Sequence, residues 1–173
     1  MKTNAKLEIL LTEISTGNKD SLEKLYNLIN KNVFGYAFSI LSNIHDAEDV
    51  TQDTFINIYK HAVIYKNNNK PMAWILTITK NLSLNKLKKK SHTSFAEIGD
   101  ISFSETTEEK IMVDTLLNTL SDEERQIVIL KELNGLKYHE ISRLLKINIS
   151  TVLSKYHRAI KKIRSKFGKE MIS

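Results

Sequence analysis

The chain contains no cysteine among its 173 residues. A disulfide framework and thiolate metal ligation are therefore excluded. It has one proline, Pro71, and five glycines. Little interrupts its periodic segments, and this favours helices throughout. No run approaches the roughly 20 apolar residues of a membrane-crossing helix. Met1 to Leu11 carries Lys2 and Lys6 but no long apolar stretch, so no signal peptide and a cytoplasmic location are expected. His45, His61, His92, His139 and His157 lack zinc-ligand spacing. Asp46, Glu48, Asp49 and Asp53 lie close together, but no histidine or second carboxylate helix completes a metal site with them. No metal, cofactor or enzymatic activity is expected.

What the chain does have is basic charge, unevenly placed. The net charge is +6 and the pI about 9.3. Lys66 to Lys90 holds seven Lys and no acid, and Thr151 to Lys169 holds seven Lys or Arg and no acid. Between them, Glu97 to Glu124 holds nine acids and one base, Lys110. Two basic blocks separated by an acidic one point to two surfaces for a polyanion. The competing reading is a pair of solvated helix faces.

The pattern predicts an all-α fold of two small helical domains joined by a flexible linker. Leu7, Leu10, Leu11 and Ile14 form one helical stripe, broken at Gly17-Asn18. A second helix spans Ser21 to Leu41, with Leu22, Leu25, Leu28 and Ile29 on one face. A third begins near Asp46, whose early acids suit the positive end of a helix dipole. Pro71 opens a fourth, which runs to about Lys90. These form a first domain, residues 1–90. Ser, Thr and acids without periodicity mark a linker at 91–107. A second domain covers 108–173. In it, Ser121 and Glu124 have capping-box spacing at the start of a helix. That helix ends at Asn134-Gly135.

The second domain contains a helix-turn-helix pattern. A short helix, Tyr138 to Leu145, is followed by a tight connection and a basic helix, Ser150 to Phe167. Ile141, Leu144, Leu145, Ile147 and Ile149 are expected between the two. Val152, Tyr156, Ala159, Ile160, Ile163 and Phe167 cluster on one side of the last helix. Thr151, Ser154, Lys155, Arg158, Lys161, Lys162 and Ser165 cluster on the other. Short residues near its start, Ser150, Thr151 and Ser154, allow close approach to base edges, and the later cations reach phosphates.

The first domain carries two further surfaces. On the third helix, Ala47, Val50, Thr54, Phe55, Ile58 and Tyr59 are expected to face the core. Glu48, Asp49, Gln52, Asp53, Ile56 and Asn57 lie opposite. Acids on a chain that binds DNA repel phosphate, so this face is expected to meet a protein. Ile56 among them is either an interface contact or a residue turned into the core. The fourth helix ends in Lys86, Lys88, Lys89 and Lys90, with Lys80, Asn81 and Asn85 on its flank. Tyr65, Lys66, Asn67-Asn68-Asn69 and Lys70 precede it. Aromatics, amides and cations together suit unstacked single-stranded bases. Core packing is the competing reading for Trp74, and a solvated helix end for the lysines.

Three segments resemble one family. Asp46-Ala47-Glu48-Asp49-Val50-Thr51-Gln52-Asp53-Thr54-Phe55 is similar to the polymerase-binding helix of sigma region two. Pro71-Met72-Ala73-Trp74-Ile75 with Lys80-Asn81-Leu82 resembles the helix that opens promoters. Gly135 to Ile141, Ile149 to Val152 and His157-Arg158-Ala159 resemble the region-four helix-turn-helix. The motifs occur in the order found in extracytoplasmic-function (ECF) sigma factors of the sigma-70 family. That group keeps only regions two and four.

The resemblance implies that Asp49, Gln52, Asp53 and Ile56 bind core RNA polymerase at the β′ clamp helices. It implies a minus-ten contact set of Tyr65, Lys66, Lys70, Lys80, Asn81, Asn85 and Lys88. The minus-thirty-five set is Ser150, Thr151, Ser154, Lys155, His157, Arg158, Lys161 and Lys162, with region four also binding the β flap. It further implies promoter DNA and an anti-sigma factor as partners, without direct membrane insertion. Leu153 stands where the family often has Arg or Lys. A stand-alone helix-turn-helix regulator is the alternative. It accounts for the last helix but not for the surfaces on the third and fourth.

Overall fold

The structure, a computed structural model, describes residues 2–67, 69–92 and 119–170. The chain divides into two compact units, residues 1–97 and 98–173. All regular structure among the described residues is helical. Of the linker expected at 91–107, only the first two positions lie within the described residues, and they belong to a helix.

The first unit contains α1 (Lys2–Ser15), α2 (Lys19–Leu41), α3 (Ile44–His61), a 3-10 turn (Ala62–Ile64) and α4 (Pro71–His92). Gly17 adopts φ +89°, left-handed geometry that glycine enters without strain, and so turns the chain after α1. The Asn18 side chain then accepts from the Ser21 N–H at 3.2 Å and caps α2. Asn43 caps α3 by accepting from the Asp46 N–H at 2.9 Å. Each such cap stabilises its helix by about 1 kcal/mol.

The α1 stripe of Leu7, Leu10, Leu11 and Ile14 is buried. On α2 the buried line runs Ser21, Leu25, Ile29, Val33, Tyr36 and Ala37. Leu28, expected on that face, is 37% exposed, because steps of four residues carry the line away from it. Leu22 is half-buried. On α3, Ala47, Val50, Thr54, Phe55 and Ile58 are buried as expected, but Tyr59 is exposed and Thr51 is buried instead. Residue 59 lies a further ~100° round the helix from Ile58, past the edge of the core contact.

Hydroxyl side chains line the packing between α3 and α4. Thr54, Thr79 and Ser83 are buried. Each hydroxyl donates to the carbonyl four residues earlier, in Val50, Ile75 and Thr79 respectively. This local bond satisfies the polar group, so a small hydroxyl can be buried where two helices meet.

The second unit contains α5 (Asp122–Val128), continued by a π-helical segment (Ile129–Leu133), then α6 (Tyr138–Leu145) and α7 (Ile149–Glu170). The Ser121–Glu124 capping box is formed in both directions. The π segment ends with the Asn134 N–H bonded to the Ile129 carbonyl at 3.1 Å. Gly135, at φ +65°, then reverses the chain. Ile141 and Leu144 are buried between helices, and Leu145 and Ile147 are half-buried. Ile149 departs from expectation at 46% exposed. It occupies the first turn of α7, one turn before Val152, where that helix first enters the core. The Phe167 side chain lies outside the described residues.

Candidate nucleic-acid and protein interfaces

The turn between α6 and α7 is held by local bonds. Lys146 adopts φ +59° at the end of α6. The Ser142 hydroxyl donates to the Ile147 carbonyl at 2.6 Å, and the Ile147 N–H returns to the Ser142 carbonyl at 3.2 Å. These bonds fix where α7 begins. Val152 and Ala159 seat α7 on the unit. Ser150, Ser154, His157, Arg158 and Lys161 are exposed, and Thr151 is half-exposed.

Two expected DNA contacts on α7 have partners within the unit. Lys155 pairs with Glu123, and Lys162 lies 2.6 Å from Glu124. Both acids stand in the first turn of α5. Glu124 is buried, and burial works to raise its pKa. Hydrogen bonds from Lys162 and Ser121 outweigh that and hold it below the usual carboxylate value. Arg158 and Lys161 form no ion pair among the described residues. Arg164, which sequence reasoning passed over, is also exposed. Its spacing of seven from His157 and three from Lys161 was the available signal.

In the first unit, Glu48, Asp49, Gln52 and Asp53 are exposed along α3, and Ile56 is 49% exposed beside them. Ile56 is therefore an exposed apolar residue on a polar face. Glu48 and Gln52 border an open groove of about 540 Å³ between α2 and α3, with Tyr26, Lys31 and Phe34 on its other side. The Tyr26 ring rests on Phe55, centroids 4.8 Å apart.

Asp46 does not belong to this exposed set. It is buried and pairs with Lys90 and, at 3.3 Å, with Lys86. Lys86 also reaches Asp49 at 2.6 Å. Burial works to raise the Asp46 pKa, but the hydrogen bonds and attraction of the two lysines leave it below the ordinary value. The cross-helix pairing was not visible in the sequence, because residues 46 and 90 become neighbours only when α3 packs on α4.

Along α4, Asn81, Asn85 and Lys88 are exposed at spacings of four and three and so share one face. Lys66 is exposed before the helix. Lys70 and Lys80 are half-buried and engaged within the chain. Tyr65 is half-buried. Its ring packs on Trp74 with centroids 4.8 Å apart, and its hydroxyl donates to Glu8 at 2.7 Å. Trp74 thus packs within the unit.

The Sigma-70 region 2 family model matches residues 25–93, and the Sigma-70 region 4 model matches residues 110–163. The chain belongs to the sigma-70 family, in its ECF group. It is 24% identical to the ECF RNA polymerase sigma factor SigW of Bacillus subtilis, over 89% of this chain and 92% of that one. It is 26% identical to the sigma factor YlaC of the same species, over 82% and 89%. The fold resembles CnrH, solved with the cytosolic domain of CnrY, at TM-score 0.69 and 19% identity, covering 95% and 98% of the chains. It also resembles the sigma factor RpoE of Bartonella quintana, solved with the anti-sigma factor NepR. That match has TM-score 0.68 and 23% identity, over 86% and 96%. The protein is a sigma factor for transcription initiation. Sigma factors are initiation factors rather than enzymes. No helix among the described residues is long and apolar enough to cross a membrane.

Proposed function

We propose that this sigma factor divides promoter recognition between its units and binds core polymerase through α3. The exposed face of Asp49, Gln52, Asp53 and Ile56 suits a basic protein surface such as the β′ clamp helices. The loop begun by Tyr65, with Lys66, Lys70, Lys80, Asn81, Asn85 and Lys88, takes the minus-ten element. Asn81 and Asn85 read extruded bases, and the lysines hold phosphates. In the second unit, α7 enters the minus-thirty-five major groove. Ser150, Thr151 and Ser154 face the bases, while Lys155, His157, Arg158, Lys161 and Lys162 lie along the backbone. That unit also meets the β flap. The factor acts in the cytoplasm and is held in check by an anti-sigma protein, as RpoE is bound by NepR in the similar structure.

The observation that carries this reading is the pairing, within one unit, of an exposed acid-and-amide face on α3 with the exposed Asn81–Asn85–Lys88 line on α4. A stand-alone regulator needs neither. Permanganate footprinting with core polymerase tests the assignment. Asn81→Ala reduces opening more than initial binding, whereas Lys88→Ala weakens binding with little change in sequence preference. Normal opening by Asn81→Ala removes the base-reading role.

A further inference from the structure

Glu8 is a carboxylate of α1 that is only 6% exposed. Its Oε1 accepts the 2.7 Å hydrogen bond from the Tyr65 hydroxyl, 57 residues along the chain. Its Oε2 is buried with no hydrogen-bond partner among the described residues. Burying a carboxylate is unfavourable unless hydrogen bonds compensate. An apolar residue beside Leu7 and Leu11 would seat α1 on the core without that cost. Stability alone therefore does not explain an acid at this position, and its long-range bond among the described residues leads to the loop before α4.

That loop is fixed at several points. The Tyr65 N–H bonds to the Ala62 carbonyl at 3.1 Å, ending the 3-10 turn. The Tyr65 ring lies against Trp74, one turn into α4. Asn69 adopts φ +59°, a left-handed conformation that asparagine tolerates better than most residues. Its carbonyl lies 3.5 Å from the side-chain amide of Asn4, also on α1. At the far end the Trp74 N–H bonds back to Lys70 at 3.2 Å. So α1 touches the segment near both ends, through Glu8 at Tyr65 and Asn4 at Asn69. Between these anchors Lys66 stays exposed.

We infer that Glu8 is a positioning residue for promoter opening: by holding Tyr65 it fixes the loop that presents Lys66 and the start of α4 to unpaired bases. The inference rests on the reading of that loop and α4 as the minus-ten surface. A pre-set loop loses less conformational freedom when it captures a base, so the contact strengthens opening without touching DNA.

The test uses the full chain with core RNA polymerase on a promoter mapped by run-off transcription with this protein. Tyr65→Phe removes one hydroxyl, and Glu8→Leu removes the carboxylate. Each lowers permanganate reactivity of the opened segment by about tenfold, on the order of one hydrogen bond. In Glu8→Leu, which leaves every assigned DNA contact in place, initial binding and polymerase affinity stay unchanged. The double variant falls no further than either single one, because both remove the same contact. Glu8→Gln keeps an acceptor for the Tyr65 hydroxyl and restores most of the opening. Normal opening by Tyr65→Phe and Glu8→Leu, while Asn81→Ala is defective, overturns the positioning role and leaves the minus-ten reading intact. Normal opening by all three overturns the minus-ten reading itself. A parallel loss of opening, binding and melting temperature in Tyr65→Phe reduces Glu8 to a stability role and also overturns the inference.

Discussion

The Lys86 ammonium sits 2.6 Å from the Asp49 carboxylate and joins the acidic face of α3 to the basic end of α4. Two surfaces assigned to different partners thus share a charge pair. Asp49 remains largely exposed, so the pair is weak by itself. Asp53 is exposed and forms no ion pair among the described residues, so it is the cleaner probe of the polymerase face. Asp53→Lys lowers core-polymerase affinity at least about tenfold through like-charge repulsion, while far-UV circular dichroism stays unchanged. Undiminished affinity removes the interface assignment. Asp49→Lys places a cation beside Lys86 and additionally lowers stability, by about 1 kcal/mol at most for so exposed a pair.

The buried Asp46 gives the first unit an acid limit. Its folded pKa lies below its ordinary value of 3.8 because the Lys90 and Lys86 bonds outweigh burial. A depressed carboxylate contributes stability that is complete above the unfolded pKa and is lost as pH falls through the folded value. The contribution therefore disappears in the window below about pH 4. Trp74, the single tryptophan, reports this unit alone. Asp46→Asn lowers denaturant stability at pH 6 and flattens its pH dependence between pH 5 and 3 in tryptophan fluorescence. An acid limb as steep as wild type contradicts the pairing.

Tyr36 is fully buried, and its hydroxyl has no hydrogen-bond partner among the described residues. Burial pushes its pKa well above the ordinary range. Removing an unsatisfied buried hydroxyl relieves a desolvation cost. Tyr36→Phe raises the unfolding free energy by about 1 kcal/mol, read from urea midpoints at constant slope. A loss of stability reveals a partner for the hydroxyl.

On α7, Lys155 and Lys162 are engaged by Glu123 and Glu124. Arg158 is exposed with no ion pair among the described residues. We expect Arg158→Ala to cost more duplex affinity than any other single change on this helix and to lower the salt slope by about one phosphate contact. Lys155→Ala costs less. Leu153 is half-buried at the flank. Leu153→Lys raises affinity and steepens the salt dependence by about one phosphate contact. Titrations at several salt concentrations decide both points. An unchanged slope places residue 153 away from the DNA backbone.

Local signals made much of this legible in the sequence. The α1 stripe, the capping box at Ser121, the break at Gly135 and the turn before α7 each depend on residues within one or two helical turns. The exposed faces of α3 and α4 followed from the same periodicity. Contacts between distant residues were not legible. Nothing local ties Glu8 to Tyr65 or Asp46 to Lys90. The buried hydroxyls of Thr79 and Ser83 were not read as core either, although backbone bonds let them be buried. Tyr59, Leu28 and Ile149 read as core by composition, yet lie just past the edges of the packed faces.

Run-off transcription with purified core polymerase, with and without this protein, tests the central claim most directly. The account predicts discrete start sites that appear only when the protein is added. It also predicts that Asp53→Lys weakens them through polymerase binding and Asn81→Ala through opening. Unchanged start sites with and without the protein, combined with tight duplex binding by the protein alone, contradict it.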